Sequence, residues 1–275
     1  VINLNNSAAR IEKSLREARA QHGSVVLPYV TGGYPDLSAM KAILRGIDHA
    51  GAGCIEVGFA FSDSIADGPV IEESFFDVLG QGIGVEDVME AVSSVSGEMR
   101  APLVAMVSMS IIQRRGVVPF LACCAAAGFS GIIVPDLCFE QSEEIGAAAR
   151  AAGIAHVLMV GPGTAAERGA AIAQCSQGFL YVVGARGTTG ERAGVTDTVR
   201  GQVGDLRQGA DCPICIGFGI SERSHVVDVC SFSDGAIVGS ALIRRLREWC
   251  CSGVDANGLA NRAAQFVRSL ATDDN

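Results

Sequence analysis

Residues 54–68 read CIEVGFAFSDSIADG. A short apolar run, Cys54 to Gly58, ends on one carboxylate, Glu56, and gives way to a loop holding Asp63 and Asp67 before Pro69 opens a helical stretch. An apolar run of that length, bounded by turn residues and followed by helical periodicity, is a strand, a loop and a helix in succession. Two acids near one strand end suggest proton transfer, because in an α/β protein the strand end opens onto the crevice where ligands bind. Read without that context, Glu56 is a paired strand-end acid and the two aspartates are turn formers.

The same unit recurs on both sides. Strand candidates lie at 24–30, 54–58, 103–107, 131–134, 156–160, 179–183, 214–217 and 235–238, each short and apolar as expected of parallel strands covered on both faces. Helical stretches fall between them near 36–50, 70–80 with 85–96, 117–127, 140–152, 164–174, 195–208, 221–231 and 240–251. Asp36, Thr164 and Ser221 mark helix starts. No linker or change of composition divides the chain, so the pattern predicts one domain over 1–275. That domain is an α/β fold, a single (β/α)8 TIM barrel with an extra N-terminal helix over 8–21 and a C-terminal helix over 255–271. A doubly wound sheet would place GxGxxG after the first strand, where this chain has Thr31-Gly32-Gly33-Tyr34.

Composition narrows the function. The chain is 49% apolar with a formal charge of −9, which lacks the basic face a nucleic acid needs, so an anionic small substrate would require local donors. No apolar run reaches the roughly 18 residues of a membrane span, and the opening VINLNNSAARIEKSLREARAQ lacks a signal-peptide profile; a cytoplasmic chain is expected. The ten cysteines are scattered through strands and helices, most of them as buried thiols. Cys212 and Cys215 form a CxxC, yet it leads into a strand where residues three apart point to opposite faces, and the histidines form no metal motif, so neither metal nor cofactor is expected.

In a barrel of this kind phosphate binds after strands seven and eight. Strand seven leads into Gly217-Phe218-Gly219-Ile220-Ser221 and strand eight into Val238-Gly239-Ser240-Ala241. Glycine lets backbone amides approach phosphate oxygens, and the following helix adds its unpaired N–H groups, so Gly219, Gly239 and Ser240 form an anion cup. Gly190, in the loop Gly187-Thr188-Thr189-Gly190, is a third contributor. Glycines that only make tight turns would give the same pattern.

The ordered set of Pro28-Tyr29-Val30-Thr31, Ile55-Glu56-Val57-Gly58, Phe61-Ser62-Asp63, Ala66-Asp67-Gly68-Pro69, Val134-Pro135-Asp136-Leu137, Tyr181, GFGIS at 217–221 and VGSAL at 238–242 resembles the tryptophan synthase alpha subunit family from end to end. The resemblance implies a carbon–carbon lyase that cleaves indole-3-glycerol phosphate to indole and glyceraldehyde 3-phosphate by a retro-aldol reaction. It makes Glu56 the acid-base, Asp67 the anchor of the indole N–H, and Tyr181 a group near the catalytic glutamate that could fix the carboxylate or the glyceryl chain. Tyr29 and Phe218 become walls for the indole ring and Thr189 the loop residue that closes over the site. The family's partner is a beta subunit.

The chain departs from the family where that partner is contacted. Ala60 and Ser64 stand where prolines are usual, Ser108-Met109-Ser110 replaces a Tyr-x-Asn element, Cys138 replaces a proline, and Gly184 and Ala185 alter the start of the loop after strand six. These departures favour a standalone indole-releasing lyase, with a conventional alpha subunit of tryptophan biosynthesis as the alternative. A silent regulator of a beta-type partner, or a barrel enzyme acting on another phosphorylated metabolite, is also compatible with the fold. An aldolase using a Schiff base is not, because Lys13 and Lys41 both lie in helical stretches.

Overall fold

The computed structural model describes residues 6–63, 68–184, 192–217 and 219–271. Its strands are β1 (Val26–Thr31), β2 (Ile55–Gly58), β3 (Leu103–Met106), β4 (Phe129–Ile133), β5 (Ala155–Val160), β6 (Leu180–Val183), β7 (Ile214–Gly217) and β8 (Gly235–Val238). Each pairs in parallel with the next, and β8 closes onto β1 through Val26, Leu27 and Pro28. The result is the (β/α)8 barrel expected. Around it run α1 (Asn6–His22), α2 (Leu37–His49), α3 (Pro69–Gly80), α4 (Val85–Ser96), α5 (Met109–Arg115), α6 (Val117–Ala127), α7 (Ser142–Ala152), α8 (Ala166–Cys175), α9 (Arg192–Leu206), α10 (Arg223–Cys230), α11 (Ser240–Cys251) and α12 (Ala256–Ala271).

Strand alternation sorts the core into layers. Leu27, Cys54, Val104, Ile133, Val157, Phe179, Cys215 and Ile237 pack together with Ile11, Leu15 and Ala18 of α1, so the extra helix plugs the N-terminal end of the barrel. Arg19 fastens that plug by donating to the carbonyls of Ser233 at 2.8 Å and Cys230 at 3.1 Å. The outer layer holds Cys212 among Val199, Val203 and Leu206, while Cys215 points inward, so the CxxC is split between two faces of one strand segment. On the opposite side α2 and α12 cross closely at Gly46, where an added methyl would sit 2.5 Å from the Ala260 carbonyl oxygen.

Three local expectations are corrected. Asp36 does cap α2, accepting from the Ala39 N–H at 2.8 Å. Thr164 does not cap α8, which begins at Ala166; its hydroxyl instead donates to the Gly161 carbonyl at 2.9 Å and closes a turn. Ser221 also lies outside its helix, with Glu222 in the cap position of α10. The third is α5, a helix the apolar pattern did not indicate. Its seven residues are anchored by Asp136 from the loop after β4, which accepts from the Ser108 hydroxyl at 2.7 Å and the Met109 N–H at 2.8 Å.

Candidate active site

Above the plugged layer the barrel opens into a cavity of about 610 Å³ at the C-terminal ends of the strands. The space arises from glycine. Gly58, Gly217 and Gly239 occupy positions two residues beyond Glu56, Cys215 and Ile237, so by alternation they face the barrel axis with no side chain to fill it. Tyrosines use that room: a methyl placed on Gly58 would land on the Tyr29 hydroxyl, and one on Gly217 on the Tyr181 hydroxyl. Tyr29, Met106, Met159, Tyr181 and Val183 form the apolar walls. Pro69, Val70 and Ile71 from the start of α3 cover one side.

Glu56 sits at the floor, fully buried. It pairs in register with Tyr29 on β1 and Val104 on β3, two residues above the buried Cys54 on the same face. Both of its carboxylate oxygens are buried with no hydrogen-bond partner among the described residues. Burial pushes the carboxyl from its ordinary 4.5 to about 8, because the charged form loses the water around it. At neutral pH Glu56 is therefore mostly a protonated acid. Folding has no use for a carboxyl without partners in a dry site, so Glu56 is a candidate functional group.

Tyr181 lines the cavity from β6, four strands from β2 and so on the opposite wall. Its place on the wall leaves it facing whatever the cavity holds. Tyr29 lines the cavity from β1, in register with Glu56.

The residues expected to form an anion cup gather at the ends of β7 and β8. Gly217 at the end of β7, Gly219 and Ser221 after it, and Gly239, Ser240 and Ala241 after β8 line the cavity. Gly219 holds φ +66°, a conformation that favours glycine. In α11 the helical hydrogen bonds begin with Leu242 and Ile243 N–H donating to Gly239 O at 2.9 and 3.1 Å. The earlier amides of Ser240 and Ala241 precede that ladder, at the positive end of the helix dipole. Among the predicted site residues, Asp67, Thr189, Gly190 and Phe218 lie outside the described residues, as do Ser64 and Ala185.

Two features escaped the sequence reading. Met106 and Met159 are walls that look like ordinary strand residues. Arg244 also lines the cavity, and its signal was present: it follows Ser240 by four residues, one turn along the same helix face.

Residues 15–272 match the family model described as tryptophan synthase alpha chain. A tryptophan synthase alpha chain from Microcystis aeruginosa is 40% identical over 261 residues, covering 94% of this chain and 97% of that one. Among solved structures, tryptophan synthase subunit alpha from Legionella pneumophila superposes with a TM-score of 0.84 at 26% identity, covering 95% of this chain and 97% of that one. The mutually activating tryptophan synthase α2β2 complex from the hyperthermophile Pyrococcus furiosus matches with a TM-score of 0.80 at 33% identity, covering 90% of this chain and 98% of that one.

Proposed function

Because the chain belongs to the tryptophan synthase alpha chain family, we propose that it is a lyase that cleaves indole-3-glycerol phosphate to indole and glyceraldehyde 3-phosphate. The observation that carries this reading is Glu56, a buried carboxyl without partners among the described residues, on the floor of a cavity also lined by Gly217, Gly219, Gly239 and Ser240. Its raised pKa makes it a proton donor at neutral pH. Glu56 gives its proton to indole C3, forming an indoleninium cation. The resulting carboxylate takes the proton from the adjacent glyceryl hydroxyl, and that oxygen forms the new aldehyde C=O. The electron pair of the breaking carbon–carbon bond returns to the ring, and Glu56 ends protonated as it began. The carboxylate beside the cation also lowers the energy of the charged intermediate. Asp67 would hold the indole N–H, and Tyr29, Met106 and Met159 supply the apolar walls the ring needs. The Gly219 and Gly239–Ser240 cup, with Gly190, would bind the phosphate. Tyr181, with Thr189 and Phe218, would bound the glyceryl chain and ring from the other wall.

The finer proposal is a standalone lyase. Ala60, Ser64, Ser108-Met109-Ser110 and Cys138 depart from the family in the loops that meet a beta subunit, and Asp136 is engaged by Ser108 and Met109 of this same chain. One observation favours the conventional reading: Phe76 on α3 is 64% exposed, with Phe61 beside it, a pair of aromatic faces that a partner would cover. Turnover of indole-3-glycerol phosphate by the purified chain, with and without a beta subunit, separates the cases. Fast release unaffected by beta supports the standalone lyase. Slow release strongly stimulated by beta gives the conventional subunit, and no turnover in either case sinks the lyase reading.

A further inference from the structure

Among the described residues lining the cavity, Arg244 is the one cation. The reaction as derived leaves it unused. Its neighbours on α11 are occupied: Arg245 lies 4.7 Å from the centre of the Phe266 ring, and Arg247 pairs with Glu73 of α3. Arg244 is exposed and has no ion pair or hydrogen bond among the described residues. Helical side chains tilt toward the N-terminus of their helix, so an arginine one turn after Ser240 leans back over that hydroxyl and the glycine cup.

The electrostatic setting gives this cation a task. A phosphate dianion approaching a chain of formal charge −9 meets a repulsive field, and the amides of the cup act only at contact. The cavity also holds Glu56, a buried acid with no partner among the described residues, so the space above it is shaped for a ligand and not for packing. We propose that Arg244 is the phosphate-selecting residue of the site: its guanidinium pairs with the phosphate seated at Gly239 and Ser240, so that the enzyme takes phosphorylated substrates and discriminates against their dephosphorylated forms. This assignment rests on the lyase reading of the cavity. A pair made with the phosphate persists unchanged from substrate to transition state, because the phosphate takes no part in the bond cleavage. Arg244 is thus a binding residue, felt in KM and not in kcat.

The test compares the whole chain with Arg244→Gln, Arg244→Lys and Arg245→Gln. Arg244→Gln should raise KM for indole-3-glycerol phosphate about tenfold with kcat within about twofold, as expected for loss of a charge-assisted contact at a partly exposed site. Arg244→Lys should recover to within about threefold of the parent, since a point charge replaces most of the attraction but not the fork. Arg245→Gln removes the same charge from the same helix and should leave KM unchanged. Added salt should raise the parent's KM more steeply than that of Arg244→Gln. A KM for Arg244→Gln within twofold of the parent, or an equal fall in kcat, overturns the assignment while leaving the lyase standing. Should the parent fail to turn over indole-3-glycerol phosphate, calorimetric titration with glycerol 3-phosphate decides the point alone: binding weakened about tenfold by Arg244→Gln supports it, and equal binding or none by the parent refutes it.

Discussion

Replacing Glu56 with glutamine should stabilise the protein, by an amount that grows with pH. Burial raises the folded-state pKa of Glu56 from 4.5 to about 8. Between those values the folded chain holds a proton that the unfolded chain has released, so stability of the parent falls as pH rises through this window. The slope is about 1.4 kcal/mol per pH unit, and over a window of roughly 3.5 units the loss reaches about 5 kcal/mol above pH 8, with about 3 kcal/mol of it present at pH 7. Glutamine keeps the shape of the protonated carboxyl and cannot ionise. Urea unfolding of parent and Glu56→Gln at pH 5, 6, 7 and 8, with reversibility checked by refolding, gives the difference in stability at each pH, and groups that do not interact with Glu56 cancel in it. The variant should be nearly level with the parent at pH 5 and pull ahead by several kcal/mol at pH 8. A difference that stays flat across this range would show that Glu56 is not a neutral acid in the folded protein, and the proton-donor role would fall with it.

The same variant should lose several orders of magnitude in indole release while remaining folded, because an amide neither donates to C3 nor accepts from the hydroxyl; turnover within tenfold of the parent would contradict the role. For the parent, kcat/KM should fall about tenfold per unit above pH 8 as the free enzyme's Glu56 ionises, and a profile flat to pH 9 would point to another donor. Gly239→Val should fold, since a Cβ there meets Tyr29 Cβ at an ordinary 3.5 Å, yet raise KM by filling the cup; an unchanged KM would move the phosphate elsewhere. Asp48→Ala should cost about 2 kcal/mol in chemical denaturation, because the Asp48 carboxylate accepts from the Arg100 and Ala101 N–H groups at 3.0 and 2.7 Å and alanine leaves both without it. A loss under about 0.5 kcal/mol would mean water replaces the carboxylate fully.

Much of the architecture was legible before any coordinates. The strands are apolar without interruption because parallel strands in a barrel are covered on both faces, and their spacing leaves room for one helix each. The expected strand at 214–217 agrees with β7 to the residue, as does the helix at 240–251 with α11. What failed was local. Hydroxyl residues at Thr164 and Ser221 signal a helix start, but a hydroxyl can equally close the preceding turn, as Thr164 does. The missed α5 is only seven residues long, and its stabilising carboxylate, Asp136, comes from 28 positions away from Ser108.

For the site, the sequence by itself determined which residues were available: an acid two positions beyond Cys54 on β2, tyrosines near the ends of β1 and β6, and glycines followed by a hydroxyl after β8. Alternation alone turned Glu56 inward. Only the closed barrel decided that its two oxygens would find no partner among the described residues, since that depends on which of eight strand ends face it, and so decided whether the acid is protonated at neutral pH. Arg244 shows the same division. Its four-residue spacing from Ser240 is written in the chain, but a helix face becomes a cavity wall only when β8 pairs with β1 and brings α11 to the rim, and no local pattern records that closure.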